Sequence, residues 1–200
     1  KQQLLNTRVV NSENIWEFYN WKIEIGATAN KVKDMWEKID ESLESNNVSL
    51  AAYYLRRGGE EFLGRVCNEL APSVVYRSDA KWNFGELLDS AIREFKCLIS
   101  DAIPVADKDT CVELQKRKEI IDDAVRVAKI DQWAINRNIH WNEMWADFSV
   151  NDFKPVVEAF KKLFNSFKCE KCGEILQICK VGSKKRRITC KCNAVDRKLT

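Results

Sequence analysis

The residues best able to do chemistry crowd into one end of the chain. Cys169-Glu-Lys-Cys172-Gly173 is a two-residue ligand loop with glycine where a turn around a metal needs a permissive backbone. Seventeen residues separate Cys172 from Cys190-Lys-Cys192-Asn193. Between the pairs, the stretches Glu174–Lys180 and Arg187–Cys190 alternate like two strands, joined at Val181-Gly182-Ser183-Lys184, which would bring the two cysteine pairs to one end of a hairpin. This is the logic of a zinc ribbon: Cys169, Cys172, Cys190 and Cys192 as four thiolate ligands, tetrahedral and closed to water, holding one structural zinc. The second pair departs from it, spaced C-x-C rather than C-x-x-C. Four free thiols, or two disulfides in a secreted chain, are the alternatives. Cys179 falls on the first strand, away from both loops, and reads as a small buried apolar residue.

Next to these ligands stand four consecutive cations, Lys184, Lys185, Arg186 and Arg187, flanked by Lys180 and Lys191. At the tip of a hairpin they could hold the phosphate backbone of RNA or DNA, each adding salt-dependent affinity without base specificity. The alternative is a solvated loop.

The single histidine, His140, closes the run Ile135-Asn136-Arg137-Asn138-Ile139-His140. Asn136 and His140 are four apart and share a helix face. The segment resembles the signature of HEPN domains, helical bundles of prokaryotic toxins and defence proteins whose active members cut RNA with an R-N-x-x-x-H motif. The resemblance places the family's Asn and His on Asn136 and His140 and its Arg on Ile135. Without that cation the site lacks the charge that would stabilise a phosphorane-like transition state. A divergent ribonuclease using His140 and Asn136, with Arg56 or Arg57 supplying the cation, is the enzymatic alternative. The plain alternative is a histidine at a helix C-terminus, where the macrodipole favours a cation.

These residues need a scaffold, and composition describes it. The 200 residues are 45% apolar and 32% charged, with 7 glycines and 3 prolines, too little punctuation for a many-stranded β protein. The fold class is therefore mainly α, a bundle of about five helices over residues 1–167 followed by a β-hairpin zinc ribbon over 168–200, each with its own core. Apolar residues at Ile15, Phe18, Ile25, Ala29, Val32, Trp36, Ile39 and Leu43 predict one long first helix, capped by Ser12 and ended by Asn46-Asn47. A second runs from a cap at Ser49 to Pro72. A third opens at Asn83 with Glu86 three residues on, a fourth at Asp109 continues to about His140, and a fifth follows Ser149 with Asp152.

The net charge of +3 divides unevenly: residues 168–200 carry +7, leaving −4 for the rest. No apolar run approaches the ~20 residues that cross a bilayer, no secretory signal is visible, and metal-spaced cysteines point to a reducing cytoplasm. No phosphate-binding loop, nucleophile elbow or H-E-x-x-H helix is present. The chain starts at Lys1 in structured sequence, so it is expected to be a piece of a longer protein.

One further resemblance spans residues 48–192. Tyr53-Tyr-Leu-Arg-Arg-Gly58 with Phe62, then Tyr76-Arg77, Asn83-Phe-Gly-Glu-Leu-Leu88, Asn136 with His140, and Phe160 to Phe167-Lys-Cys-Glu-Lys-Cys172 are similar, as a series, to the C-terminal helical region of certain large bacterial proteins. Those proteins carry an SMC-like ATPase or a metallo-β-lactamase-fold hydrolase upstream and end in a zinc ribbon, and several belong to phage-defence loci. The resemblance implies a non-catalytic accessory module, serving assembly or nucleic-acid contact, with its catalytic partner upstream in the same protein.

Overall fold

A computed structural model of the chain describes residues 16–22, 26–31, 33–73, 82–139, 149–181 and 185–199; side chains are described from residue 33 onward, apart from those of 128–139, 180–181 and 185. Among the described residues there are five α-helices: α1 (Met35–Glu44), α2 (Val48–Leu70), α3 (Phe84–Ala102), α4 (Lys108–Ile139) and α5 (Val150–Ser166). The strands are β1 (Trp16–Lys22), β2 (Gly26–Lys31), β3 (Gln177–Val181), β4 (Lys185–Thr189) and β5 (Asp196–Lys198). The chain is thus mainly α with a small antiparallel sheet at its C-terminal end, ordered β3-β4-β5.

Capping chemistry sets the helix starts. The Asn83 side chain accepts from the Glu86 N–H at 3.0 Å, while the Glu86 carboxylate accepts from the Asn83 N–H at 2.9 Å, a reciprocal box at the start of α3. Ser149 and Asp152 form the same box at α5. Two caps differ from the sequence expectation by two residues. α2 is capped by Asn47, not Ser49, with the Asn47 side chain accepting from the Leu50 N–H at 3.0 Å. α4 is capped by Asp107, not Asp109: its carboxylate accepts from both the N–H and the hydroxyl of Thr110 at 2.9 Å. In each case an equally good capping residue lies two positions earlier, and spacing from the apolar stripe alone does not choose between them. The stops agree with expectation: Asn46 takes a left-handed φ of 55° after α1, and Pro72 follows the end of α2.

The long first helix is not formed. β1 and β2 pair antiparallel, Trp16 opposite Lys31 and Phe18 opposite Ala29, and among the described residues helix begins only at Met35. The reason lies in residue types. Trp16-Glu-Phe-Tyr-Asn-Trp-Lys22 is an aromatic-dense strand sequence, and Gly26-Ala-Thr-Ala-Asn30 holds three poor helix formers in five residues. Asp34 then starts a new helix with its own capping box to Glu37. Trp36, Ile39 and Leu43 lie on helix as expected, but the helix does not extend back along the same spacing to Ala29 and Phe18.

The bundle core is built on phenylalanine. Phe84 meets Phe160 at 5.7 Å between centroids, Phe160 meets Phe164 at 5.8 Å, Phe164 stacks on Phe62 at 4.5 Å, and Phe167 meets Phe95 at 5.1 Å. Aromatic pairs at these offsets add to the stabilisation from burial itself. α2 packs against α1, α3 and α4, and α4 against α5. Gly59 makes the approach of α2 close enough: a Cβ there would sit 2.4 Å from Phe84 Cε2 and 3.4 Å from Phe164. The Gly58-Gly59 pair is weak for a helix by propensity, and packing outweighs that cost.

The expectation of two separate cores is corrected. Phe95, Ile99 and Leu114 of the bundle and Cys169, Ile175, Leu176, Ile188 and Cys190 of the ribbon belong to one continuous buried cluster. The C-terminal segment is laid onto the bundle because it is too small to bury a core alone.

Candidate metal centre

The end of α5 delivers the first ligand loop directly. Phe167 is fully buried and its carbonyl accepts from the Leu176 N–H at 2.9 Å, so the chain leaves the helix and pairs at once with the strand that returns to it. Inside that pairing, Gly173 N–H bonds to the Cys169 carbonyl and Cys169 N–H to the Glu174 carbonyl, both at 2.8 Å. Gly173 has φ +71°, the left-handed conformation that lets the loop close behind Cys172. The second loop repeats the device one residue shorter. Asn193 N–H bonds to the Cys190 carbonyl at 2.9 Å, and Asn193, directly after Cys192, takes φ 59°. Asparagine is the side chain that best tolerates this region after glycine.

These two loops bring Cys169, Cys172, Cys190 and Cys192 together, with all four sulfurs within 4.8 Å of one another. Cys172 Sγ lies 3.2 Å from Cys190 Sγ, Cys190 Sγ 3.5 Å from Cys192 Sγ, and Cys169 Sγ 3.7 Å from Cys192 Sγ. Metal–sulfur bonds of about 2.3 Å in a tetrahedron separate the sulfurs by roughly 3.8 Å, slightly more than these three separations and inside the 4.8 Å that bounds the whole set. All four cysteines are free of disulfides, and the residues present fit a metal ion. Electrostatics divides the set. At Cys169 burial opposes ionisation, but the N–H groups of Cys172 and Lys171 outweigh it and the pKa falls to about 7. At Cys190 burial prevails and the thiol is pushed up to about 12, with the neighbouring cysteine sulfurs adding to the rise. A bound cation reverses that penalty, because coordination needs the thiolate.

Cys179 lies outside the cluster, as expected, but it is exposed rather than buried, with its sulfur 3.3 Å from the Thr189 hydroxyl. Cys67 is half-buried against the bundle core, and desolvation raises its pKa to about 11, which makes it a poor nucleophile.

Of the row of cations, Lys185, Arg186 and Arg187 are among the described residues. Lys184 lies outside the described residues, and β4 already begins at Lys185. Arg186 and Arg187, successive on a strand, take different partners. Arg186 reaches Asp101 at 3.1 Å and Glu94 at 3.9 Å on α3, whereas Arg187 makes a two-pronged pair with Asp196 of β5 at 2.6 and 2.5 Å. Two of the four cations expected to hold phosphate are thus paired with acids. Arg56, offered as a cation for His140, pairs with Glu60 at 3.4 Å. Asn136 lies on α4 among residues whose side chains are not described, and His140 lies outside the described residues.

Strand β5 and the residues beneath the ribbon were missed from sequence. Val195 and Leu199 pack against the core, and Arg197 between them pairs with Glu113 of α4 at 3.1 Å. The alternation of Val195, Arg197 and Leu199 was the available signal, too short to stand out. No family model, curated protein or solved structure matches the chain. Among the described residues no helix is long and apolar enough to cross a membrane.

Proposed function

We propose that the chain is a non-catalytic helical module whose C-terminal ribbon is held together by one structural zinc, and that its role in a larger bacterial protein of the kind it resembles is assembly. The single observation that carries the reading is the cluster of four cysteine sulfurs, all within 4.8 Å of one another. Sulfur-only donation favours zinc over the oxygen-seeking divalent cations, and four protein ligands leave no position for a reacting water. The four thiolates and the divalent ion together carry a charge of roughly −2, so part of the +7 excess of residues 168–200 balances the centre itself. Nucleic-acid contact takes second place to assembly in this reading, because Arg186 and Arg187 are engaged with acids.

Cobalt(II) titration tests it. The expected result is one equivalent bound with the intense charge-transfer and visible bands of a tetrahedral tetrathiolate, displaced by zinc and unaltered by added azide. A spectrum that shifts with azide would reveal an open coordination position and contradict a structural role.

A further inference from the structure

One turn of α4 reaches both halves of the metal centre. Arg117 is only 11% exposed, and its guanidinium spreads over the chain on either side of the first ligand: Nη1 donates to the carbonyls of Ser166 and Lys168 at 3.4 Å, and Nη2 to Glu170 Oε1 at 3.0 Å. These residues bracket Cys169, and Glu170 sits inside the loop between the two cysteines. The Ser166 carbonyl stands at the C-terminal end of α5, where unpaired carbonyls and the helix dipole favour a cation, and the Lys168 carbonyl follows two residues on. One turn before Arg117 is Glu113, 3.8 Å from Arg117 and 3.1 Å from Arg197, which lies on β5 just beyond the second ligand loop. No surface ion pair of the ordinary kind makes so many contacts from a shielded position.

We propose that Arg117 is a positioning residue of the metal centre. From α4 it holds the backbone around Cys169 in the geometry that receives the ion, and Glu113 extends the hold to the second loop through Arg197. The inference rests on the metal reading above and adds to it that metal retention belongs to the bundle as well as to the ribbon. A planar, five-donor guanidinium suits the task, since it satisfies two carbonyls and a carboxylate at once, which a lysine ammonium on a flexible stem does not. Because coupling is reciprocal, loss of the metal loosens this turn of α4, and displacement of α4 loosens the metal.

The test is the rate of zinc release from the full chain into excess chelator, for wild type, Arg117→Ala, Arg117→Lys, Glu170→Gln and Arg126→Ala. Outer contacts that orient metal ligands are worth roughly ten- to a hundredfold in metal affinity. Arg117→Ala is expected to release zinc faster by that order, Arg117→Lys to recover part of the loss, and Arg126→Ala, an exposed pair with Asp123 on the same helix, to match wild type. The cobalt-loaded Arg117→Ala protein should show displaced visible bands, which a contact that merely stabilised the fold would not produce. Should Arg117→Ala fail to fold, Glu170→Gln removes the partner from an 84% exposed side chain and is expected to speed release several-fold. Release within twofold of wild type and unshifted cobalt bands in the folded variants would overturn the assignment of Arg117. A wild-type protein that binds neither zinc nor cobalt would instead overturn the metal reading on which it rests.

Discussion

The bundle and the ribbon solve the same problem with different means. The bundle has length to spare: α2, α3 and α5 turn wide apolar faces inward, and Phe84, Phe95, Phe153, Phe160, Phe164 and Phe167 are all but fully buried. The ribbon buries few side chains, chiefly Ile175, Leu176, Ile188 and two of its own cysteines, and spends its polar residues on pairs with α3 and α4. Apolar area stabilises the first, whereas the second has a cluster of four sulfurs and a borrowed surface. A segment too short for a core can be ordered if a metal crosslinks it and a larger neighbour lends it a floor.

Metal removal should separate the two most sharply. A structural zinc contributes on the order of 10 kcal/mol of apparent binding free energy, nearly all of it folding free energy for the ribbon. Strong chelator, or Cys172→Ser, is expected to abolish hydrogen-exchange protection across residues 168–199 while far-ultraviolet circular dichroism retains the helices. Because the cores are joined, α3 and α4 around Phe95, Ile99 and Leu114 should lose protection in part and the melting temperature should fall. Full protection of the ribbon without metal would erase the distinction between the two regions.

The opposite perturbation is Phe160→Ala. Truncating a fully buried phenylalanine costs about 3–5 kcal/mol through lost burial and an unfilled cavity. Urea denaturation should show that loss, with metal stoichiometry unchanged in the folded protein. A cost below about 1 kcal/mol would mean that the phenylalanine line is not what holds the bundle.

Two glycines of α2 give the smallest and most discriminating effects. Gly59→Ala forces a methyl to within 2.4 Å of the Phe84 ring, and overpacking of about 1–3 kcal/mol exceeds the gain in helix propensity. Gly64→Ala meets nothing within 4 Å and should stabilise by up to about 1 kcal/mol. Opposite signs in thermal melts are expected; equal signs would mean that α2 does not approach α3 and α5 as closely as described.

Legibility in the sequence followed the same division. Capping boxes at Asn83 and Ser149, and the stops at Asn46 and Pro72, were readable because their chemistry is local. The ligand cysteines were readable because metal spacing is a strong constraint on a short segment. What depends on partners was not. Residues 16–31 fit a helical spacing while their aromatic and β-branched content favours strands, and periodicity alone does not arbitrate. The destinations of Arg186, Arg187 and Arg117 are set by acids and carbonyls on other elements, so four adjacent cations looked like one patch and nothing in the sequence singles out Arg117.

The central claim is that four cysteines hold one zinc, and elemental analysis of the full chain purified without added metal tests it most directly, paired with thiol titration under native conditions. The account predicts one zinc per chain, with Cys169, Cys172, Cys190 and Cys192 protected from the thiol reagent until chelator is added. A zinc content near zero, with those four thiols as reactive as the exposed Cys97 and Cys179, would contradict it.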